Sequence, residues 1–260
     1  MFGIIGATIV YTVFLWWFST GAILWLNRLP SVTYRLSLIA ASLVAVAATW
    51  GLVASMTDPS PAGAVLAFTA TIGLWGWHEI SFLTGFVAGP QTRFCPPDAR
   101  GWSRFRLAAA TVIYHEIALV LTAGVIAAIT WGQPNQIGLW AFAILLVSRL
   151  SAKFNLFLGV PNFTDEFFPD RLRYLSSYIR KGPVNALLPV SAVAGTLLAV
   201  LEARAALAST ATAFHVVGYT LLCALTSLAL IEHLFMVLPL QDAALWRWAM
   251  PAAPKGNNAS

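Results

Sequence analysis

Charge is what this sequence has least of. Asp, Glu, Lys and Arg make up 10% of the 260 residues, against 59% hydrophobic residues. Soluble domains carry about 25% charged and about 45–50% apolar residues. So little polar surface cannot cover a water-facing core, which excludes a soluble globular protein and a disordered chain. Cysteine is nearly absent too. Cys95 lies in a polar loop and Cys223 inside an apolar run, and neither belongs to a CxxC pair. This removes a disulfide scaffold and leaves a thiolate metal or redox site without support. The sequence also lacks an internal repeat, a low-complexity tract and a basic stripe with stacking aromatics. Its net charge of +5 therefore does not indicate a nucleic-acid partner. The N-terminus enters an apolar run without a basic n-region or an A-x-A-type site, and is expected to be an uncleaved first span.

What is present is a series of long hydrophobic runs. A transmembrane helix needs about 20 mostly apolar residues, and low charge favours a helical bundle over a barrel. The expected fold is an all-α polytopic membrane protein, a bundle of seven transmembrane helices in one domain over 1–248. The spans are placed at about 3–26, 36–56, 62–88, 105–131, 137–158, 184–201 and 211–238. Asn27, Arg28 and Pro30 stop the first, Gly89-Pro90 the third, and Pro239 the seventh. The sixth is the weakest, with Pro189 near its start. Fourteen of the fifteen Lys and Arg residues then fall on one side, in alternate loops, at the adjoining end of span five or in the C-terminal tail, and only Arg204 falls opposite. Bases collect on the cytoplasmic side, so the N-terminus is expected outside and the C-terminus inside. Membrane lipid is the first expected partner.

One cytoplasmic connection is long. Thr164, Asp165 and Glu166 read as a helix start, Pro169 fits a first turn, and Gly182-Pro183 reads as a stop. Leu172, Leu175 and Ile179 share one face, beside basic Arg171, Arg180 and Lys181. A short amphipathic arm over about 164–182, lying on the inner membrane surface, is expected; a simple tethering loop is the plainer alternative. Residues 249–260 read as a flexible tail.

Three spans carry adjacent ionisable pairs: His78-Glu79, His115-Glu116 and Glu232-His233. Each charge at the bilayer centre costs about 2.5–3.5 kcal/mol on the insertion scale, so such groups face the bundle interior, pair and mark function. His78 and His115 lie about ten residues from their inner span ends, or about 15 Å. Glu232 is about 9 Å deep by the same rise. Arg149 and Lys153 of span five fall in the same half. His215 sits near the outer end of span seven, about 26 Å from Glu232, and stays outside the cluster. Neighbours on a helix point about 100° apart, so an adjacent pair does not chelate one ion as an i,i+3 or i,i+4 pair does.

Three readings stand at this point. On count alone, Glu79, His115, Glu116, Glu232 and His233 admit an iron or zinc site. Histidine also ligates a bacteriochlorophyll or related macrocycle, and Gly73 and Gly76 would leave room for a flat ring beside His78. The third reading is buried Glu–His and Glu–Arg bonding that joins helices. Catalytic residues are not assigned, and the ligand-binding candidates are His78, Glu79, His115, Glu116, Arg149, Glu232 and His233. Gly85 and Gly89 form a GxxxG pair that reads chiefly as a helix stop. Most of the eleven Trp fit an interface belt, whereas Trp75 and Trp77 lie deeper and read as core.

Several strings resemble one family. They are Trp17-Phe18-Ser19-Thr20-Gly21-Ala22, Trp77-His78-Glu79 with Gly89-Pro90, Tyr114-His115-Glu116, residues 155–162 (NLFLGVPN) and residues 232–239 (EHLFMVLP). Together they resemble the PuhE family, photosynthetic complex assembly proteins of phototrophic bacteria. The resemblance runs from span one to Trp248. It implies a multi-pass protein of the bacterial cytoplasmic or intracytoplasmic membrane. It further implies a role in assembling the reaction centre and core light-harvesting complex, with reaction-centre or antenna subunits and other assembly factors as partners. Bacteriochlorophyll or a precursor is the implied ligand, and the family suggests no enzyme mechanism. The alternative is a metal-dependent membrane enzyme acting on a tetrapyrrole or isoprenoid.

Overall fold

The computed structural model describes residues 2–163, 168–238 and 242–249. Seven long helices follow one another: α1 (Phe2–Arg28), α2 (Tyr34–Ser55), α3 (Pro61–Leu83), α4 (Gly101–Thr130), α5 (Ile137–Leu158), α6 (Leu187–Ala206) and α7 (Ala213–Phe235). Among the described residues the extended structure is limited to one parallel bridge between Val160 and Lys181. Six of the helices are long and apolar enough to cross a membrane; α3 is not one of them. The expected span at 62–88 ends as a helix at Leu83, and Glu202 and Arg204 fall inside α6 rather than beyond it. The expected helix start at Thr164, Asp165 and Glu166, Pro239, and the tail from 250 onward lie outside the described residues.

The exception of α3 has a physical reason. It carries two Trp, a His and a Glu, and it is the innermost helix, packed against α1, α2, α5 and α7. In a bilayer the outside is as apolar as the core, so a helix shielded from lipid does not need the highest hydropathy. The main core joins Phe68 and Trp75 of α3 to Leu52 of α2, Leu119 of α4, Phe142 of α5 and Leu221 and Leu225 of α7. Trp75 packs edge-on against Phe142 at 5.4 Å, the core role expected of it. Large apolar side chains of α1, α2, α4 and α6, such as Phe14, Leu43, Leu121 and Leu197, point outward.

Loop chemistry sets the helix ends. Ser60 caps α3 by accepting from Gly63 N at 3.1 Å, with Pro61 in the first turn. Asn185 caps α6 through Leu187 N (2.9 Å) and donates to Asn155 O and Gly159 O at the end of α5. Gly159 closes α5 at φ 128°, where a side chain would be strained. Asn162 then donates to Val237 O at 2.6 Å. The string 155–162 therefore knots the ends of α5 and α7 to the start of α6.

The expected surface arm differs from what forms. Residues Asp170–Tyr178 make a 3₁₀ helix, and Ile179 is already extended. Leu172, Tyr174, Leu175 and Tyr178 are buried against Phe82 and Ala88 of the same chain, rather than lying on lipid. Arg171 donates to Thr84 O and stacks over the Tyr34 ring at 4.4 Å. Tyr178 donates to Arg93 O (3.1 Å) and Arg104 to Tyr178 O (2.6 Å). With its apolar face packed inward and Arg171, Arg104 and Tyr178 bonded to backbone carbonyls, the segment closes one end of the bundle, while Asp170 and Arg173 stay exposed. The C-terminal tryptophans likewise fold back: Trp246 is buried against α1 and donates to Trp17 O at 3.1 Å, so it is not a belt residue.

Candidate functional site

The end of the bundle beneath this segment holds the ionisable pairs. They sit near the C-terminal ends of α3 and α7 and midway along α4, with Arg149 and Lys153 on the second half of α5. Each adjacent pair splits, as the 100° step between neighbours requires. His78 turns to α4, where its Nε2 lies 2.9 Å from Thr122 Oγ1. Glu79 turns to α5 and accepts from Arg149 Nη2 at 3.3 Å. Glu116 pairs with Lys153. His115 is fully buried, its ring 4.6 Å from Phe82 and 6.3 Å from His78. Glu232 accepts from Trp16 Nε1 of α1 at 3.2 Å and lies within electrostatic reach of Arg149. Two cations on one turn of α5 thus serve three carboxylates from three helices.

His233 does not join them. Its Nδ1 lies 2.8 Å from Ala229 O, and its Nε2 lies 2.9 Å from Ser151 Oγ. Since the first contact is to a carbonyl, Nδ1 carries a proton. Ser151 also reaches Ser191 Oγ of α6 at 2.9 Å. This is a second, separate polar knot between α5, α6 and α7. His215 stays at the far end, 3.0 Å from Thr212 Oγ1.

A loop holds the first cluster in register from outside. Residues 84–100 leave α3 and press against α4. Tyr114 N and His115 N donate to Ala88 O at 3.0 and 3.1 Å, and Gln91 N donates to Ala110 O at 3.2 Å. An uninterrupted helix would bond Tyr114 N to Ala110 O; here the loop engages both of those groups. α4 nonetheless stays helical from Gly101 to Thr130. A Cβ on Gly89 would run into Ala110 O and stand 2.7 Å from Thr111 C. Gly89 is thus a close-approach residue beyond the helix end, since α3 stops at Leu83. Pro90, without an N–H, follows it.

The chemistry of the set is more specific than its count. Each of Glu79 and Glu116 is committed to a cation, and among the described residues no three His, Cys, Asp or Glu are grouped to hold a metal. The glycine slot closes: a Cβ on Gly73 would stand 3.3 Å from Ala48 and one on Gly76 3.9 Å from Ile23, so both face neighbouring helices. Five polar atoms nonetheless stay buried without a partner: His78 Nδ1, Glu79 Oε1, His115 Nδ1, Glu116 Oε2 and Arg149 Nε. Buried polar groups are nearly always bonded, so their concentration in one cluster singles it out.

The family described as "Protein of unknown function (DUF3623)" matches residues 3–257. The chain belongs to this family. It is 42% identical over 246 residues to the "Uncharacterized 30.4 kDa protein in puhA 5'region" of Rhodobacter capsulatus, covering 93% of this chain and 89% of that one. No solved structure matches it.

Sequence reading missed several partners of the cluster. Thr122 lies two helical turns from His115 and so shares its face, a spacing that was visible. Trp16 is one aromatic among many in α1 and carries no local mark. Lys153 was visible at the right depth but not as the partner of Glu116. Glu202, a further buried acid, sits near the C-terminal end of α6 against α7, away from the cluster.

Proposed function

We propose that this chain is a photosynthetic assembly factor of the bacterial inner membrane. It acts on the reaction centre and core light-harvesting complex. The observation that carries the reading is the 42% identical relative from Rhodobacter capsulatus, whose name sets it in the puhA 5′ region. The resemblance of the His–Glu strings to the PuhE family supports the same process. On this reading all seven long helices span the bilayer, with the N-terminus outside and the C-terminus in the cytoplasm. Shielding of α3 by its neighbours and the one-sided distribution of bases support that topology.

The buried cluster is the proposed ligand site, with bacteriochlorophyll or a precursor as ligand. A tetrapyrrole brings a metal that accepts an imidazole nitrogen and ring substituents that bond to polar side chains. His78 and His115 each keep an unpartnered Nδ1, and Glu79, Glu116 and Arg149 keep unpartnered polar atoms beside them. Those five residues would hold it, and Glu232 would balance Arg149. His233 belongs instead to the helix-joining knot. The alternative, an enzyme bound to iron or zinc, has less in its support, since among the described residues no three His, Cys, Asp or Glu group to hold an ion.

The test is purification in mild detergent from a pigment-making host. Expected is co-purifying tetrapyrrole or reaction-centre subunit, with the pigment absorbance lost in His78→Ala and His115→Ala while the protein stays folded. Pigment-free protein with no associated subunit would overturn the reading.

A further inference from the structure

A second site lies outside the buried cluster, where α4 begins and α5 ends. A cavity of about 510 Å³ there is lined by Arg100, Arg104, Arg180 and Lys181. Among the described residues no carboxylate pairs with any of these four bases. The α4 N-terminus opens at the same place, without an acid in its first turn or a side-chain cap, and adds its positive dipole end. The walls are held in place by hydrogen bonds. Arg180 N donates to Leu156 O at 3.0 Å and Val160 N to Arg180 O at 3.1 Å, which fixes the backbone that presents Arg180 and Lys181. Arg104 is anchored by Phe157 O and Tyr178 O, with its guanidinium 4.5 Å over the Phe157 ring. Arg100, Arg180 and Lys181 are exposed.

Beside the cavity runs an apolar surface of a distinct kind. Trp102 stacks on Phe105 at 5.0 Å, and Phe105 reaches Phe154 at 6.4 Å and Phe157 at 5.7 Å. Trp102 is 70% exposed and Phe154 42% exposed, so this aromatic row faces outward from α4 and α5. Four bases without a carboxylate partner among the described residues, next to an outward aromatic row, match an amphiphile with a negative head and apolar tails. Basic pockets at helix ends take anionic headgroups for this reason.

We infer that Arg100, Arg104, Arg180 and Lys181, together with the aromatic row on α4 and α5, form a specific site for an anionic phospholipid. The headgroup phosphate sits among the bases and the acyl chains lie along Trp102, Phe105 and Phe154. The bound lipid bridges the start of α4 and the segment after α5.

Delipidated full-length protein in detergent would be titrated with phosphatidylglycerol, phosphatidylcholine and inorganic phosphate. Bound lipid is read by native mass spectrometry. Expected is at least tenfold tighter binding of phosphatidylglycerol than of phosphatidylcholine. In the triple variant Arg100→Gln, Arg180→Gln, Lys181→Gln that preference disappears; the three side chains are exposed, so the fold survives. Trp102→Ala with Phe154→Ala weakens both lipids several-fold. Equal affinity for the two lipids, or a preference kept in the triple variant, overturns the site. Inorganic phosphate that displaces phosphatidylglycerol at equal concentration, or an aromatic variant that binds lipid normally, overturns the lipid and leaves a free-anion site.

Discussion

Replacing Gly89 by alanine is expected to be among the most damaging single-methyl changes in the chain. The new Cβ would strike Ala110 O and stand 2.7 and 2.8 Å from Thr111 C and O, all backbone atoms that cannot rotate away. The φ of Gly89 is not positive, so space rather than conformation is the constraint. Overpacking of this kind costs about 1–3 kcal/mol. Backing the loop away also stretches three hydrogen bonds, from Tyr114 N and His115 N to Ala88 O and from Gln91 N to Ala110 O. Each is worth about 0.5–1.5 kcal/mol, and partial loss of all three adds about 1–2 kcal/mol. A total near 3 kcal/mol follows, or roughly 6–12 °C in melting temperature at about 2–4 °C per kcal/mol for a chain of this size. The control is Gly124→Ala in α4, the helix that Gly89 abuts, where nothing lies within 4 Å of the new atom. There the gain in helix propensity should stabilise by about 0.5–1 kcal/mol. Thermal unfolding in detergent, followed by circular dichroism, reads both. If Gly89→Ala melts with the wild type, loop 84–100 does not pin α4 and the local account of the site is wrong.

Other changes separate the roles of the polar groups. Lys153→Met leaves Glu116 buried without its cation and should cost about 3 kcal/mol, whereas Lys153→Met with Glu116→Gln should recover most of the loss. The same pair of changes at Arg173 and Asp170, which are 72% and 91% exposed, should cost under about 1 kcal/mol; equal costs at the two pairs would refute the burial argument. Tyr174 has a buried hydroxyl without a partner, so Tyr174→Phe should be neutral or mildly stabilising; a loss above about 1 kcal/mol would show a bond not seen here. Burial raises the phenols of Tyr174 and Tyr178 above their ordinary value, and the nearby Tyr178 phenol adds to the shift of Tyr174. The folded chain therefore holds these protons to higher pH than the unfolded chain. Their stabilisation is complete below about pH 10 and is lost as pH rises through the raised values. Phenolate absorbance should show the 170–178 segment releasing above pH 10; ionisation of both tyrosines at their free values would contradict its docking.

The helices and their approximate ends were legible because lipid imposes the strongest of sequence constraints: about 20 apolar residues without charge. Scarce charge also made the buried cluster legible. His78, Glu79, His115, Glu116, Arg149 and Glu232 do gather at one end, since depth along a helix follows directly from residue number. Pairing did not follow in the same way. A helix apolar on all sides has no amphipathic face, so its rotation about its own axis leaves no periodic mark. Whether Glu79 meets Arg149 or Lys153, and whether His233 turns inward with Glu232 or toward Ser151, depends on that rotation.

Composition by itself determined that this is a helical membrane protein with few, costly and therefore informative charges. Local sequence determined its caps and stops, such as Ser60-Pro61 and Gly159. Only the tertiary structure decided that α3 is the shielded centre, and that loop 84–100 reaches into the ladder of α4. It also decided that residues 170–178 close the bundle instead of lying on the membrane. Each of these is set by contacts between residues far apart in the chain. Among side chains equally apolar toward lipid and toward one another, shape complementarity and a few polar bonds make that choice, and neither is written in hydropathy.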